Sequence, residues 1–138
     1  MTNQTGIFTV QFDATPSVSP LDSVMALSSG AQTAYNGFAC LARFSTTGNI
    51  DARNGGSYVA DNVIPYSANV TYTFRLAVDV PAHTYSVYVT EAGGAEQTVG
   101  TDFAFRTEQN TVTNLDHWSV TVDATSAGTN TVCNFRFP

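Results

Sequence analysis

Apolar and polar residues alternate along residues 72–105 in three consecutive runs. In the first run every second position is apolar: Tyr72, Phe74, Leu76, Val78 and Val80. Successive side chains of a strand point to opposite faces, so this period of two predicts a strand with one face in a core. Turn residues at 81–83 and 93–94 separate the three runs. The segment therefore predicts an antiparallel meander with short loops.

The same alternation predicts strands elsewhere along the chain: residues 6–13, 23–28, 37–44, 50–53, 117–123 and 131–137. Residues 57–69 are expected to be irregular, and residues 107–115 to form one helical turn at most. No apolar stripe of helical period is present. Nine to ten strands with glycine-rich turns favour an all-β fold, a two-sheet antiparallel β-sandwich. The length of 138 residues suits one domain, residues 1–138.

Charge is sparse and negative. Charged residues make up 12% of the chain, about half the usual share. There is no lysine, and five arginines leave a net charge of −6. Because no basic stripe exists, neither nucleic acid nor an anionic membrane surface is an expected partner. No apolar run reaches the roughly 20 residues of a membrane span.

The first residues contain neither a charged nor an apolar part of a signal peptide. Two interpretations remain open: a cytosolic protein, or a module of a longer secreted chain. The two cysteines, Cys40 and Cys133, lie in predicted strands without metal-ligand spacing. They either pair across neighbouring strands, closing a loop of roughly ninety residues worth about 4 kcal/mol, or remain free thiols.

Several runs together resemble the concanavalin A-like (LamG-like) jelly-roll family: YTFRLAVDVPAHTYSVYV, a glycine-rich turn, FAFR, and the late strand LDHWSV. The resemblance covers residues 8–120, and GNIDARNGGSY is similar to the hairpin and following loop of the family. It implies a jelly roll. Similar modules are attached to secreted bacterial enzymes that degrade polysaccharides, where they bind carbohydrate.

The resemblance therefore implies a non-catalytic carbohydrate-binding module in an extracellular, multidomain chain, with a polysaccharide or oligosaccharide as its partner. Two alternatives stay open: an adhesion or protein-interaction domain of the same fold, and a small polysaccharide lyase or hydrolase. A hydrolase needs two carboxyl groups across a cleft. The pairs Asp51 with Asp61, or Asp79 with Asp102, are conceivable, although sequence alone does not place them.

One candidate binding surface follows from strand parity. If the apolar residues of the predicted strands point inward, five polar or aromatic side chains point outward: Arg43, Asp51, Arg53, Arg75 and Tyr88. Were their strands neighbours in one sheet, arginine and aspartate would bind sugar hydroxyls and tyrosine would stack on a ring. The alternative is a solvated face with cross-strand ion pairs.

Aromatic side chains in loops and one late strand give further candidates. Tyr58 and Tyr66 lie in irregular segments and offer flat rings with a hydroxyl, although either could instead cover the core edge. Trp118, the only tryptophan, shares parity with Val120 and Val122. It either fills the core or forms a stacking platform.

Related sandwiches tie their first and last strands with an oxygen-ligated ion, so the resemblance also implies a structural calcium. The candidate ligands are Asp13 and Asp116 with neighbouring carbonyls.

Overall fold

The computed structural model describes residues 1–137, which form ten strands and two single-turn 3₁₀ helices, Tyr35–Gly37 and Thr107–Gln109. The strands are β1 (Ile7–Pro16), β2 (Ser23–Ser28), β3 (Cys40–Phe44), β4 (Ile50–Asn54), β5 (Ser57–Val59), β6 (Tyr72–Asp79), β7 (Thr84–Glu91), β8 (Glu96–Ala104), β9 (His117–Val122) and β10 (Asn130–Arg136). No helix within this range has the length and apolarity needed to span a bilayer.

The strands form two antiparallel five-stranded sheets, which confirms the predicted two-sheet β-sandwich. Sheet I has the order β10-β1-β6-β7-β8, and sheet II has the order β5-β4-β3-β2-β9. The meander predicted for residues 72–105 is β6, β7 and β8, paired in sequence within sheet I. β1 lies between β6 and the last strand, so residues from both ends of the chain join the same sheet.

Most strand positions agree with the sequence pattern, and two differences have clear causes. β1 continues to Pro16 because its last residues pair with residues 130–132 of β10, a partner that a local pattern does not reveal. β5 falls within residues 57–69, which were expected to be irregular. Its three residues are too few to show alternation, although the preceding Gly55-Gly56 is a two-residue hairpin signal.

The core is built from the inward side chains of both sheets. Phe44 of β3 is fully buried, and its ring centroid lies 5.7 Å from Tyr72 and 5.6 Å from Phe74, both on β6 of the opposite sheet. Phe12 of β1 stacks on Phe74 at 5.4 Å. Such ring pairs add about 0.5–1.5 kcal/mol each beyond the burial of their area.

The two cysteines are free and lie in different sheets. Cys40 is buried in β3 of sheet II, and Cys133 is exposed on β10 of sheet I. Burial raises the pKa of the Cys40 thiol well above its ordinary value. The sequence left open a disulfide or two free thiols, and the structure shows two free thiols.

Replacing Phe44 by alanine is expected to lower the free energy of unfolding by about 3–5 kcal/mol, because the cavity left behind removes the contact between the two sheets. Urea denaturation followed by tryptophan fluorescence measures this. Val63→Ala is the control, since Val63 is 81% exposed and its loss should change stability little. A cost for Phe44→Ala as small as that of the control would contradict the proposed role of this ring.

Candidate functional site

Four of the side chains singled out in the sequence meet on the outer face of sheet II. Arg43 of β3 lies directly opposite Asp51 of β4. Arg53 of β4 lies directly opposite Tyr58 of the adjacent strand β5. Because Cys40, Ala42, Ile50 and Ala52 point into the core, the residues between them point outward, as their parity predicts.

These four residues form an ordered cluster. Arg43 Nε and Nη2 donate to the two carboxylate oxygens of Asp51 at 2.8 and 2.7 Å, a bidentate pair. The guanidinium carbon of Arg43 lies 3.7 Å from the centroid of the Tyr58 ring, and that of Arg53 lies 5.2 Å from it. Tyr58 is thus held by two cations, each within the distance of a cation–π contact.

Burial raises the pKa of Tyr58. Its hydroxyl therefore stays protonated at neutral pH, and it makes no hydrogen bond to any of residues 1–137. The ring packs against a small apolar cluster on the same outer face, made by Val24, Ala26, Phe38 and Leu41. The cluster gives the site a firm apolar floor, which suits a ligand with one apolar face.

A cleft of about 230 Å³ opens above this cluster, and we call it the arginine cleft. Its lining residues are Asp22, Val24, Tyr35, Arg43, Arg53, Tyr58 and Arg106. A second hollow, of about 320 Å³, lies beside it and includes Tyr35 and Thr121. Since Tyr35 lines both, the two hollows adjoin along the sheet, as an extended ligand would require.

Sequence reasoning missed two residues of the cleft, Asp22 and Arg106. Asp22 precedes β2, and its carboxylate makes no hydrogen bond within residues 1–137. Arg106 follows β8 of the other sheet, but its backbone N–H donates to the Ala39 carbonyl at 2.9 Å and so brings it to sheet II. Neither position carries a local signal, because each depends on contacts between distant segments.

The prediction that Arg75 and Tyr88 share a surface with Arg43, Asp51 and Arg53 is wrong. These two residues lie on β6 and β7 of sheet I, whose strands pair with β1 and β8 and not with β3 or β4. There Arg75 makes its own bidentate pair with Glu96 and lies 4.0 Å from the Tyr88 centroid. The outward residues therefore form two separate surfaces.

Tyr66 does not face solvent as a binding residue would, since it is only 4% exposed. Its hydroxyl accepts a hydrogen bond from the Leu21 N–H at 2.7 Å and lies 2.6 Å from the Ser45 carbonyl, to which it donates. Tyr66 thus joins three chain segments beneath the long loop. Tyr66 therefore covers the edge of the core, as one of the two interpretations from the sequence held.

Trp118 is half-buried and belongs to the core side of β9. Its ring stacks on Phe135 of β10 at 4.3 Å and tilts against Phe12 at 5.4 Å. Because Phe135 covers its face, the ring is not free as a stacking platform. Parity with Val120 and Val122 indicated this core position, which the structure shows.

Asp13 and Asp116 do not come together as ligands of one calcium ion. Asp13 lies near the end of β1, whereas Asp116 follows Leu115, which bridges to Gln4 before β1 begins. The length of β1 separates them by roughly 20 Å or more. Each carboxylate already accepts hydrogen bonds, Asp13 from Thr73 and Asn134, and Asp116 from the Gly30 N–H. Residues 1–137 contain no group of three or more metal-binding side chains.

The sequence matches no protein-family model and no curated protein. Solved structures do share the fold. A sialidase is matched with a TM-score of 0.63 and 13% identity over 97% of this chain and 13% of that chain. The catalytic domain of a glycoside hydrolase family 131 protein from Coprinopsis cinerea is matched with a TM-score of 0.65 and 14% identity, over 96% of this chain and 56% of that chain.

At such low identity these likenesses establish the jelly-roll fold, and the chain spans only part of each matched protein. They also contradict the expectation of a non-catalytic carbohydrate-binding module that is not an enzyme. One matched structure is a sialidase and the other a catalytic domain of a glycoside hydrolase, so the hydrolase alternative agrees better with them. The expectation rested on the resemblance to modules that bind carbohydrate, and carboxylates contributed by separate strands leave no sequence motif that would indicate catalysis.

Tyr66→Phe is expected to destabilise the domain by about 1–3 kcal/mol, because the buried Leu21 N–H and Ser45 carbonyl lose their partner. Chemical denaturation measures this. Tyr88→Phe is the matched control, since the Tyr88 hydroxyl makes no hydrogen bond within residues 1–137. Equal stability of the two variants would show that the Tyr66 hydroxyl does not hold these segments together.

Asp13 gives a prediction for acid stability. Hydrogen bonds from Asn134 and Thr73 hold its pKa below the ordinary value of 3.8. A carboxyl with a lowered folded-state pKa stabilises the fold above its unfolded-state pKa, and this contribution is lost as the pH falls through the folded-state pKa. Asp13→Asn should therefore cost up to about 1 kcal/mol at pH 7, and this cost should shrink as the pH falls below 3.8.

Urea midpoints measured from pH 7 down to pH 2 test this expectation. Asp102→Asn is the control, because the exposed Asp102 carboxylate makes no hydrogen bond within residues 1–137. A pH-independent effect of Asp13→Asn would show that its hydrogen bonds stabilise the fold without involving its charge.

Proposed function

We propose that this domain hydrolyses glycosidic bonds and that the glycan lies in the arginine cleft. The observation that carries the proposal is the Asp22 carboxylate, which has no hydrogen-bond partner among residues 1–137 and lines the same cleft as the Tyr58 ring and Arg43. Asp51, the partner of Arg43, lies beside the cleft. Sugar rings have an apolar face and a rim of hydroxyl groups. The apolar floor with Tyr35 and Tyr58 suits the face, and guanidinium donors and carboxylate acceptors suit the rim.

Two carboxyl groups are available on this face for the reaction. In hydrolysis one carboxyl donates a proton to the leaving glycosidic oxygen as the bond to the anomeric carbon breaks. The other either attacks that carbon or activates the water that does. We assign the pair to Asp22 and Asp51, both of which are on the outer side of sheet II.

The strand register supports this assignment. Ser23, which follows Asp22, lies opposite Phe44, and Phe44 lies opposite Ile50, which precedes Asp51. From strand spacing and rise, the Cα atoms of Asp22 and Asp51 are about 12 Å apart. Side chains of this size can approach a sugar ring between them from two sides. Asp51 is oriented by Arg43, whereas Asp22 has both oxygens available.

The concanavalin A-like resemblance and the expected setting of the domain are part of the same proposal. A hydrolase of this kind would act outside the cell, where its polysaccharide substrate is found, within a longer chain. Support for the longer chain comes from the matched proteins, of which this domain spans 13% and 56%.

Asp22→Asn should lower the rate of glycan hydrolysis by about 10²- to 10⁴-fold, the usual contribution of a general acid or base. Release of reducing ends from a panel of neutral and acidic polysaccharides measures this. Glu91→Gln is the matched control, since Glu91 is exposed at the end of β7 of sheet I and outside the arginine cleft. The proposal fails if the unmodified protein cleaves none of the panel, or if Asp22→Asn is as active as the control.

A further inference from the structure

The arginine cleft contains more cations than its apolar floor would lead one to expect. The chain has a net charge of −6, yet three of its five cations line this one cleft: Arg43, Arg53 and Arg106. A general role in solubility would spread cations over the surface. Two of the three arginines are offset by carboxylates, Arg43 by Asp51 and Arg106 by Glu108, so the positive charge of the cleft centres on Arg53.

The arginines of the cleft differ in how many of their guanidinium nitrogens donate a hydrogen bond to the protein. Arg43 uses Nε and Nη2 on Asp51, as Arg75 does on Glu96 in the other sheet. Arg53 donates only through Nε, to the Gly55 carbonyl at 2.9 Å, and Arg106 only through Nε, to Glu108 at 3.1 Å. Within residues 1–137 the terminal nitrogens of both Arg53 and Arg106 have no hydrogen-bond partner.

Arg53 also has no carboxylate partner among these residues, since the ion pairs of the cleft belong to Arg43 and Arg106. Its guanidinium carbon lies 5.2 Å from the Tyr58 centroid, so the side chain is ordered by the ring and by the β4–β5 hairpin. A planar guanidinium held in place with its two terminal nitrogens free matches the geometry of a carboxylate or sulfate oxyanion.

The carboxylate that lines the cleft, Asp22, lies away from Arg53 along the strands. Ser23, Phe44 and Ile50 lie opposite one another on three adjacent strands. Asp22 lies one residue before this row, and Arg53 lies three residues beyond it on the other side. Along the strand direction Asp22 and Arg53 are therefore four residues, or about 13 Å, apart. Arg106 is tied to Ala39, on the Arg53 side of β3. Glu108 partly offsets the positive charge of Arg106 through an ion pair, but it makes no ion pair with Arg53.

We infer that the substrate is an acidic glycan and that Arg53 and Arg106 bind an oxyanion group that it carries. This inference rests on the proposed function, because it places the glycan in the same cleft. The oxyanion would belong to a sugar next to the one cleaved, since Asp22 is at the other end. A carboxylate of a uronic acid and a sulfate ester share the required chemistry.

The test is a titration by calorimetry with three matched probes. They are a uronic acid tetrasaccharide, the same tetrasaccharide with its carboxylates reduced to alcohols, and a sulfated neutral tetrasaccharide. The unmodified protein should bind at least one acidic probe about tenfold or more tightly than the reduced probe. The affinity should fall as salt is raised. The tighter acidic probe identifies the oxyanion.

Arg53→Gln should abolish this preference, and Arg75→Gln should retain it. Arg75 is the matched control because it stacks on a tyrosine in the same way, but on sheet I. If Arg53→Gln does not fold, Arg106→Gln takes its place, with thermal unfolding as the check. Equal affinity for acidic and reduced probes, or a preference that survives both cleft variants, overturns the inference.

The outcome also separates this inference from the proposed function. Cleavage of neutral glycans that depends on Asp22, without a preference for acidic probes, would leave the hydrolase proposal standing and overturn the acidic substrate. Binding of acidic probes that depends on Arg53, without cleavage of any glycan, would support the oxyanion site and overturn the hydrolase.

Discussion

Contact between aromatic rings of the two sheets is the interaction on which the rest of the domain depends. Phe44 of sheet II packs against Tyr72 and Phe74 of sheet I, and Phe12 continues the stack on its own sheet. Rings of this size fill the space of about 10 Å between packed sheets. Once they point inward, every second residue of the same strands must point outward. The orientation of the functional face is thus a consequence of the core.

An arginine that is stacked on a tyrosine and paired with a carboxylate occurs on both sheets, but only on sheet II is it part of the arginine cleft. Arg43 on Tyr58 and Arg75 on Tyr88 are both arginines stacked on a tyrosine and paired with a carboxylate. On sheet II, Tyr35 and Arg106, from segments outside the sheet, add a wall to the cleft. These segments also fix the position of Arg106 through its bond to Ala39. A stacked pair alone is a surface feature, and the surrounding segments make it part of a cleft.

Fold likeness does not decide the function of this cleft. Jelly rolls support both binding and catalysis, so function has to be argued from the side chains of the site. Aromatic rings and arginines would serve a binding protein and a hydrolase equally well. In the proposed function Asp22 transfers a proton, a role that a binding protein does not need.

The sequence by itself determined the all-β fold, most strand positions and the inward or outward direction of residues such as Arg43 and Trp118. These properties depend on a period of two, which is local. Only the tertiary structure decided which strands are neighbours. It separated Arg75 from Arg43, placed Asp13 and Asp116 far apart, and brought Asp22 and Arg106 into one cleft. Sheet order depends on contacts between distant segments, for which a single sequence has no local signal.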